Sequence, residues 1–365
     1  MKYLMREVLV IWLVRRRNLC SVLILAVVFA LSSCSGPQII TKRHHSSDRN
    51  LKSEKAVIIN QYEINGVTYI HKKVQNFNGE PTDFIEAGPA TNGKPYDVFV
   101  FVQGSSASPL ISEDDNGKFL LLSFTVDQFI AENKFVIAGK PHIPVYSHYE
   151  NLTDNFEISE TSVLKKYFAS NTVEIQAKGI DQIIKELRND DKVKNIFLIG
   201  HSQGARIIAA VKEKYVQKRA LLSVNLYGRF HEEVAKKRFE SITDDRKINL
   251  EKTYNDYQSL KLKSFPESLN FADLSLQSYK SFTWPSTYNL IKKLRKPVLI
   301  AYGGHDVGVS FSNETARFEL QDEKKENIRF RSYEGLDHNF KSVNAGNNNE
   351  FWQDVMEDTV KWLKE

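Results

Sequence analysis

The chain of 365 residues contains very little cysteine, and both of its cysteines, Cys20 and Cys34, lie near the amino end. The body of the chain can therefore form neither an internal disulfide nor a cysteine-based metal site. Glycine and proline are also sparse, with 17 and 10 residues, which excludes a collagen-like or low-complexity chain. Because 41% of the residues are hydrophobic, we expect a globular protein with one large core or two small ones.

The chain also lacks a surplus of charge once its first 33 residues are set aside. That segment holds five of the 50 Lys and Arg residues and one of the 45 Asp and Glu residues, so the remainder carries a net charge of only +1. A nucleic-acid-binding protein is expected to keep a basic excess in its folded part. We therefore expect no nucleic acid among the partners.

The first 33 residues have the pattern of a secretory signal peptide. Arg15-Arg16-Arg17 precedes an almost unbroken apolar run from Leu19 to Leu31, and small residues follow that run. The run is shorter than the roughly 20 residues that a membrane-spanning helix needs. An uncleaved amino-terminal anchor is the alternative interpretation, although the three arginines make one continuous span with the apolar stretch before them costly.

The end of this segment, Leu31-Ser32-Ser33-Cys34, resembles a bacterial lipobox. The resemblance implies cleavage before Cys34 and lipidation of its thiol, and two or three acyl chains are enough for stable membrane anchoring. Residues 34–55 are polar and predict a flexible tether, followed by one domain over 56–365. We expect a protein of the bacterial cell envelope that is anchored to a membrane by lipid and faces away from the cytoplasm.

The body of the chain alternates between strand and helix patterns. Residues 56–73 alternate in polarity around Asn65-Gly66, the signal for a type I′ hairpin. Apolar runs typical of strands buried on both faces occupy 97–102, 135–138 and 195–199, and further strand patterns occupy 221–227, 297–302 and 328–333. Helical patterns occupy 172–189, 205–215 and 349–365. This alternation predicts an α/β protein with a largely parallel sheet that helices cover on both faces.

Residues 229–290 interrupt the alternation. They are rich in Lys and Glu and show no buried-strand pattern, which predicts a mostly helical insertion that forms a cap. The segment is also rich in aromatic side chains, namely Tyr254, Tyr257, Phe265, Phe271, Tyr279, Phe282, Trp284 and Tyr288. These side chains could line an acyl pocket or pack the insertion onto the core, and both possibilities stay open.

The segment Gly200-His201-Ser202-Gln203-Gly204 lies between a predicted buried strand and a predicted helix. Gly-x-Ser-x-Gly in that context is a nucleophile elbow, a sharp turn in which the two glycines, Gly200 and Gly204, let strand and helix approach closely. Ser202 would then project its hydroxyl above the carboxyl edge of the sheet. A serine hydroxyl is a weak nucleophile at neutral pH, so it needs a base within hydrogen-bonding distance.

His338 is the predicted base and Asp306 the predicted acid that orients it. Both residues follow predicted strands, and they come after Ser202 in the order serine, acid, histidine. Asp337 is the alternative acid, but a residue adjacent to the histidine usually points the wrong way to bind its ring. A carboxylate in this role fixes the imidazole tautomer and stabilises the imidazolium.

The sequences around Ser202, Tyr-Gly-Gly-His-Asp306 and Gly-Leu-Asp-His338 together resemble the α/β-hydrolase family. The resemblance covers about residues 95–228 and 290–365, and it implies the α/β-hydrolase fold. It also implies an oxyanion hole formed by the backbone N–H of Gln203 and an N–H of the loop Gln103-Gly104-Ser105-Ser106. Ser105 is the first choice for that second donor and Ser106 the second. The family often has His-Gly in this loop, but a missing histidine does not remove a backbone donor.

These patterns predict a serine hydrolase that cleaves a carboxylic ester or related acyl bond of a small molecule through an acyl-enzyme. A serine peptidase, a thioesterase or an acyltransferase would use the same machinery, and a binding lipoprotein that has kept the fold without turnover is a further alternative. No cofactor or metal is expected, because the chain has no His-Glu-x-x-His, no Asp-rich calcium loop and no Walker-type glycine loop. The pattern gives no indication of the oligomeric state.

Overall fold

The structure is a computed structural model that describes residues 55–75, 80–89, 93–212, 214–228, 231, 232, 234, 276–344 and 350–365. The predicted signal peptide, Cys34 and nearly all of the tether lie outside these residues, as does most of the predicted cap insertion. Among the helices that the structure describes, none combines the length and the apolar character needed to cross a membrane.

The amino-terminal part of the described chain forms antiparallel strands. The predicted hairpin is confirmed: strand β1 (Val57–Ile64) pairs with β2 (Val67–Gln75), and Asn65 and Gly66 have φ angles of 49° and 79°. Positive φ at both central residues is what a type I′ turn requires. Strand β3 (Pro81–Ala87), which the sequence did not predict, joins this hairpin to the parallel part of the sheet.

The remaining strands form the rest of a nine-stranded sheet and a small second sheet. They are β4 (Tyr96–Val102), β5 (Ile111–Asp114), β6 (Gly117–Leu120), β7 (Lys134–Ala138), β8 (Tyr146–His148), β9 (Val193–His201), β10 (Val216–Leu222), β11 (Val298–Gly303) and β12 (Ile328–Tyr333). The large sheet has the order β1-β2-β3-β7-β4-β9-β10-β11-β12, and the small one β6-β5-β8. From β7 to β12 neighbouring strands are parallel. The chain passes from β4 to one side and then to the other, and such a switch point opens a crevice at the carboxyl ends of the strands.

Helices cover both faces of the sheet, as predicted. They are α1 (Thr161–Ser170), α2 (Val173–Leu187), α3 (Gln203–Ala210), α4 (Leu276–Thr283), α5 (Thr287–Ile291), α6 (Ser310–Asp322) and α7 (Trp352–Lys364). Helix α2 begins after Thr172, whose side chain accepts a hydrogen bond from the backbone N–H of Ile175. Helices α2 and α3 contribute to one apolar cluster and α7 to another, and the alternate side chains of the central strands divide between the two clusters.

Two predicted boundaries are wrong. The strand expected at 221–227 is β10, Val216–Leu222, because the chain leaves the sheet at Ser223, where φ is 48°. The start of this strand was not predicted because Lys218 and Arg219 are charged, which is unusual in a buried strand. Arg219 is nevertheless buried, and its guanidinium donates to the carbonyl groups of Ile208 and Val211. Those bonds satisfy carbonyl groups at the end of α3. The helix expected over 205–215 ends at Ala210, because Val211 has a ψ of 127° and is no longer helical.

The described part of the predicted insertion contains α4 and α5 and is helical. Of its aromatic side chains, Tyr279, Phe282 and Tyr288 are buried and Trp284 is partly buried, and Phe282 lines the same cavity as Ser202. The others, Tyr254, Tyr257, Phe265 and Phe271, lie outside the described residues. A cap over 229–290 therefore stays a prediction.

Candidate active site

Ser202 lies in a sharp turn between β9 and α3. Its backbone has φ 53° and ψ −115°, a conformation that residues other than glycine rarely adopt. Strain of this kind costs about 1–3 kcal/mol and persists only where the surrounding structure holds it. Part of that support is a 2.8 Å hydrogen bond from the Ser202 N–H to the carbonyl of Leu222 at the end of β10.

Gly200 and Gly204 make this turn possible. A Cβ atom at Gly200 would lie 2.5 Å from the carbonyl oxygen of Gly204, and one at Gly204 would lie 2.1 Å from that of Val102. Both contacts are with backbone, which cannot rotate away. The strand, the helix and the end of β4 therefore pack against each other at distances that only glycine permits.

The structure brings Ser202, His338 and Asp306 together. Nε2 of His338 lies 3.0 Å from Oγ of Ser202, and Nδ1 lies 2.6 Å from Oδ2 of Asp306. Asp306 is 4% exposed. The Nδ1–H of His338 donates a hydrogen bond to this carboxylate, so Nε2 is unprotonated in the neutral imidazole and can accept the serine proton.

Two loops that pack backbone against backbone hold the acid and the histidine. The N–H of His305 donates to the carbonyl of Leu336 at 2.9 Å. A Cβ atom at Gly303 would lie 2.3 Å from the carbonyl oxygens of both Leu336 and Asp337. The loop after β11 and the loop after β12 therefore fix each other's position.

The alternative acid, Asp337, has a different contact. Its Oδ1 accepts hydrogen bonds from the backbone N–H groups of Asn339 and Lys341, at 2.8 and 2.9 Å. This is the local bonding by which an aspartate shapes a turn. Asp337 thus shapes the turn that carries His338, whereas Asp306 contacts the imidazole.

His201 also belongs to the site, although the sequence indicated only that it neighbours Ser202. Its Nε2 donates to the backbone carbonyl of His338 at 3.1 Å, and its ring packs edge-on against Trp352 at 4.8 Å. Burial, with a smaller contribution from His338, lowers the pKa of His201 to about 3. His201 is therefore neutral at physiological pH and acts as a fixed donor to the histidine loop.

The loop Gln103-Gly104-Ser105-Ser106 follows β4 and lies beside Ser202. A Cβ atom at Gly104 would lie 3.5 Å from Cβ of Ser202, and the hydroxyl of Tyr167 donates to the carbonyl of Ser105 at 3.2 Å. Gln203 opens α3, and the first N–H groups of a helix have no partner within it.

Polar side chains, of which Lys140 is buried and Gln103 and Glu157 are partly buried, hold this loop, and no pattern in the sequence predicted them. Lys140 is 7% exposed, and its Nζ donates to Oε1 of Gln103 at 3.4 Å, while Nε2 of Gln103 donates to the carbonyl of Leu121 at 3.0 Å. Glu157 accepts from the N–H of Ala107 at 3.1 Å. Burial lowers the pKa of Lys140 to about 7, against the opposing effect of Glu157.

Two cavities meet at Ser202 and His338. The first, which we call the polar cavity, measures about 240 Å³ and is lined by Ser105, Ser202, Gln203, Arg206, Ser223, Val224, Asn225, Gly228, Glu232, Phe282 and His338. The second, the aromatic cavity, measures about 270 Å³ and has Phe101, Leu121, Leu122, Phe124 and Trp352 in its wall. Ser105 lines both cavities and Ser106 lines only the aromatic cavity. A small organic molecule could therefore bind with one part on each side of Ser202.

Within the described residues, no group of three or more His, Cys, Asp or Glu side chains is arranged to hold a metal ion.

Comparisons with known proteins agree with this architecture. A family profile described as alpha/beta hydrolase of unknown function (DUF915) matches residues 159–278, which include Ser202. The acetyl xylan esterase from Paenibacillus sp. R4 is 12% identical, with a TM-score of 0.51 over 85% of this chain and 87% of its own. A protein of Bacteroides ovatus assigned as a dipeptidyl aminopeptidase IV is 13% identical, with a TM-score of 0.52 over 82% of this chain and 36% of its own.

A further similar structure is Est1E from Butyrivibrio proteoclasticus, 13% identical, with a TM-score of 0.46 over 85% of this chain and 98% of its own. A comparison with curated protein sequences gave no match. At these identities the two structures with TM-scores above 0.5 establish the fold and leave the substrate open. The profile match over residues 159–278 and the fold together support a hydrolase with the α/β-hydrolase fold.

Proposed function

We propose that the protein is a serine hydrolase that cleaves a carboxylic ester or a related acyl bond through an acyl-enzyme. The observation that carries this proposal is the hydrogen-bonded series Ser202, His338 and Asp306, with distances of 3.0 and 2.6 Å. A nucleophile, a base in contact with it and a buried acid that orients the base are the three parts that activate a serine hydroxyl.

In the proposed reaction, Oγ of Ser202 attacks the substrate carbonyl while Nε2 of His338 accepts the hydroxyl proton. Asp306 keeps the imidazole oriented and stabilises its positive charge. The oxyanion of the tetrahedral intermediate accepts hydrogen bonds from the backbone N–H groups of Gln203 and Ser105. His338 then protonates the leaving group, the acyl group stays on Ser202, and water activated by His338 releases the acid.

The first test compares Ser202→Ala with Ser112→Ala on short 4-nitrophenyl esters. Ser112 is also a buried serine, but it lies in β5 and lines neither cavity. Ser202→Ala should abolish turnover and Ser112→Ala should not. A fluorophosphonate probe should label the wild type at Ser202. An unlabelled serine would contradict the proposal and favour a binding protein without turnover.

We also propose that the mature protein begins at a lipidated Cys34 and works outside the cytoplasm. The support is the arrangement of three arginines, an apolar run and Leu31-Ser32-Ser33-Cys34. A cell that expresses the protein should incorporate an alkyne fatty acid into the wild type and not into Cys34→Ala. Equal incorporation in both proteins, or a precursor that is never cleaved, would contradict this part of the proposal.

A further inference from the structure

Three residues that line the polar cavity carry buried polar side-chain atoms that have no partner among the described residues. These atoms are Nε2 and Oε1 of Gln203, Oγ of Ser223 and Nε of Arg206. These side chains are 9%, 1% and 4% exposed, respectively. Buried polar side-chain atoms in folded proteins nearly always have a hydrogen-bond partner, so three such residues in one cavity wall indicate that a ligand supplies the missing bonds.

Among the described residues, Arg206 has hydrogen-bond partners for only two of its three guanidinium nitrogens. These two nitrogens donate to Oγ1 of Thr287 at 2.9 Å, to the carbonyl of Ser281 at 3.1 Å and to the carbonyl of Pro285. Burial lowers the pKa of Arg206 to about 10, so it is still a cation at neutral pH. Among the described residues, only neutral oxygens accept its hydrogen bonds. The remaining N–H group, at Nε, has no partner among the described residues, and Arg206 lines the same cavity as Ser202.

The aromatic cavity has a mixed wall. Phe101, Phe124, Leu122 and Trp352 contribute apolar surface, and Phe124 and Trp352 stack with their ring centroids 6.0 Å apart. Polar side chains share this wall, namely Gln103, Ser106, Ser123 and Asn339. The aromatic rings distinguish this cavity from the polar cavity, so a substrate that fills both has room here for an apolar or aromatic group.

The charges in the polar cavity favour an uncharged ligand group. Arg206 contributes a cation to the wall and Glu232 an anion, so the wall has no net preference for either sign. The amide of Gln203 and the hydroxyl of Ser223 can each donate and accept. A neutral group with hydroxyls matches this set, since a hydroxyl also donates and accepts.

We propose that the polar cavity is a subsite for a hydroxylated, uncharged group of the substrate, recognised by Gln203, Arg206 and Ser223. The proposal rests on the proposed hydrolase function, because the subsite lies beside Ser202. The expected substrate is an ester with a polyol-like half in the polar cavity and an apolar or aromatic half on the other side.

Matched ester pairs test this subsite on the full-length protein in detergent. Propyl benzoate and 2,3-dihydroxypropyl benzoate differ only in two hydroxyls on the alcohol side. Phenyl propanoate and phenyl 2,3-dihydroxypropanoate differ in the same way on the acyl side. With kcat/KM divided by the rate of uncatalysed hydrolysis, the wild type should prefer the hydroxylated ester in at least one pair, by about tenfold or more.

Equal rates in both pairs, or a preference for both alkyl esters, would overturn the subsite. So would a carboxylate-bearing ester, phenyl hydrogen succinate, that outperforms phenyl 2,3-dihydroxypropanoate, because that result would indicate an anion site. If Ser202→Ala hydrolyses all these esters at the wild-type rate, the proposed function itself is wrong. If Ser202 is essential and the pairs show no preference, only the subsite is wrong.

The variant Ser223→Ala assigns the effect to a residue. It should lower the preference ratio of the responding pair by about tenfold, the value of one hydrogen bond to an uncharged group. Ser112→Ala is the matched control, since Oγ of Ser112 is also buried without a partner among the described residues but lies outside the cavity. An unchanged ratio in Ser223→Ala, or an equal change in Ser112→Ala, would contradict the assignment.

Discussion

Two neighbouring strands of the sheet end in serines with similar backbone geometry and different surroundings. Ser202 after β9 has φ 53° and Ser223 after β10 has φ 48°. The N–H of each serine donates at 2.8 Å to a carbonyl of the next strand, Leu222 for Ser202 and Ala301 for Ser223. Yet Oγ of Ser202 contacts Nε2 of His338, whereas Oγ of Ser223 is buried without a partner among the described residues.

This comparison separates a strained serine backbone, which both residues have, from contact with a base, which only the proposed nucleophile has. Reactivity requires a base in contact with the hydroxyl, and the loops after β11 and β12 bring that base to only one of the two serines. The second serine keeps the geometry but is available only for hydrogen bonding.

The largest effect is expected from the two alanine variants. Ser202→Ala should lower kcat by about 10⁴–10⁶-fold, because it removes the nucleophile. Ser223→Ala should lower kcat/KM by about tenfold on a hydroxylated ester, because it removes one hydrogen bond. Steady-state kinetics on the ester pairs, with circular dichroism to check folding, measure both effects. Similar losses in the two variants would show that the two serines do not differ as described.

The next largest effect distinguishes Asp306, the proposed acid, from Asp337, which shapes the turn. Asp306→Asn should lower kcat by about 10⁴-fold, because an amide favours the wrong tautomer of His338. Asp337→Asn should change kcat by no more than a few-fold, since its Oδ1 can still accept from Asn339 and Lys341. The same ester assay measures both variants. A larger loss in Asp337→Asn would reverse the assignment of the acid.

A variant of Lys140 tests whether its hydrogen bond to Gln103 holds the loop beside Ser202 in place. We expect Lys140→Met to lower kcat by about tenfold, because Gln103 loses a donor and the loop that carries Ser105, the proposed oxyanion donor, is less firmly held. The pKa of Lys140 falls from its ordinary value of 10.5 in the unfolded chain to about 7 in the folded protein. Between those values the unfolded chain binds more protons, so wild-type stability rises with pH from 7 to 10.5.

The variant has no such group, so its stability relative to the wild type should fall over the same range of pH. Denaturant unfolding at pH 7 and at pH 10 measures this difference in the free energy of unfolding. A difference that is independent of pH would show that Lys140 is not buried as a poorly solvated amine.

The smallest effect is expected at His201. His201→Phe keeps the aromatic packing on Trp352 and removes the hydrogen bond to the carbonyl of His338, so kcat should fall by a few-fold. The folded-state pKa of His201 is about 3, below its ordinary value of 6.5. Wild-type stability is therefore lost as pH falls from 6.5 towards 3, and the variant should lose less. Thermal unfolding at pH 7 and pH 4 measures this, and an equal loss in both proteins would contradict it.

The parts of the site that depend on local sequence were predictable. Gly200 and Gly204 flank a serine after a buried strand, and that pattern alone located the turn. Asp306 and His338 follow parallel strands, and the carboxyl ends of parallel strands lie at the same edge of a sheet. The structure places both residues in contact, although their roles stay proposals.

The parts that depend on which elements become neighbours were not predictable. Lys140 and Gln103 are far apart in sequence and meet because β7 pairs with β4. The first half of β10 was missed because it contains charged residues. Arg219 can be buried there only because the end of α3 lies beside it and accepts its hydrogen bond. The polar cavity likewise combines residues from α3, the end of β10 and α4, and no single stretch of sequence contains that pattern.

The contact at Gly303 has a consequence for exchanging parts between related enzymes. Because this position touches the main chain of residues 336 and 337, the two segments that supply the carboxylate and the imidazole form one interlocked module. A chimera that imports either segment alone would combine surfaces that were not shaped for each other. Transplanting both segments together, with the glycine retained, is the arrangement under which a grafted catalytic pair keeps its alignment.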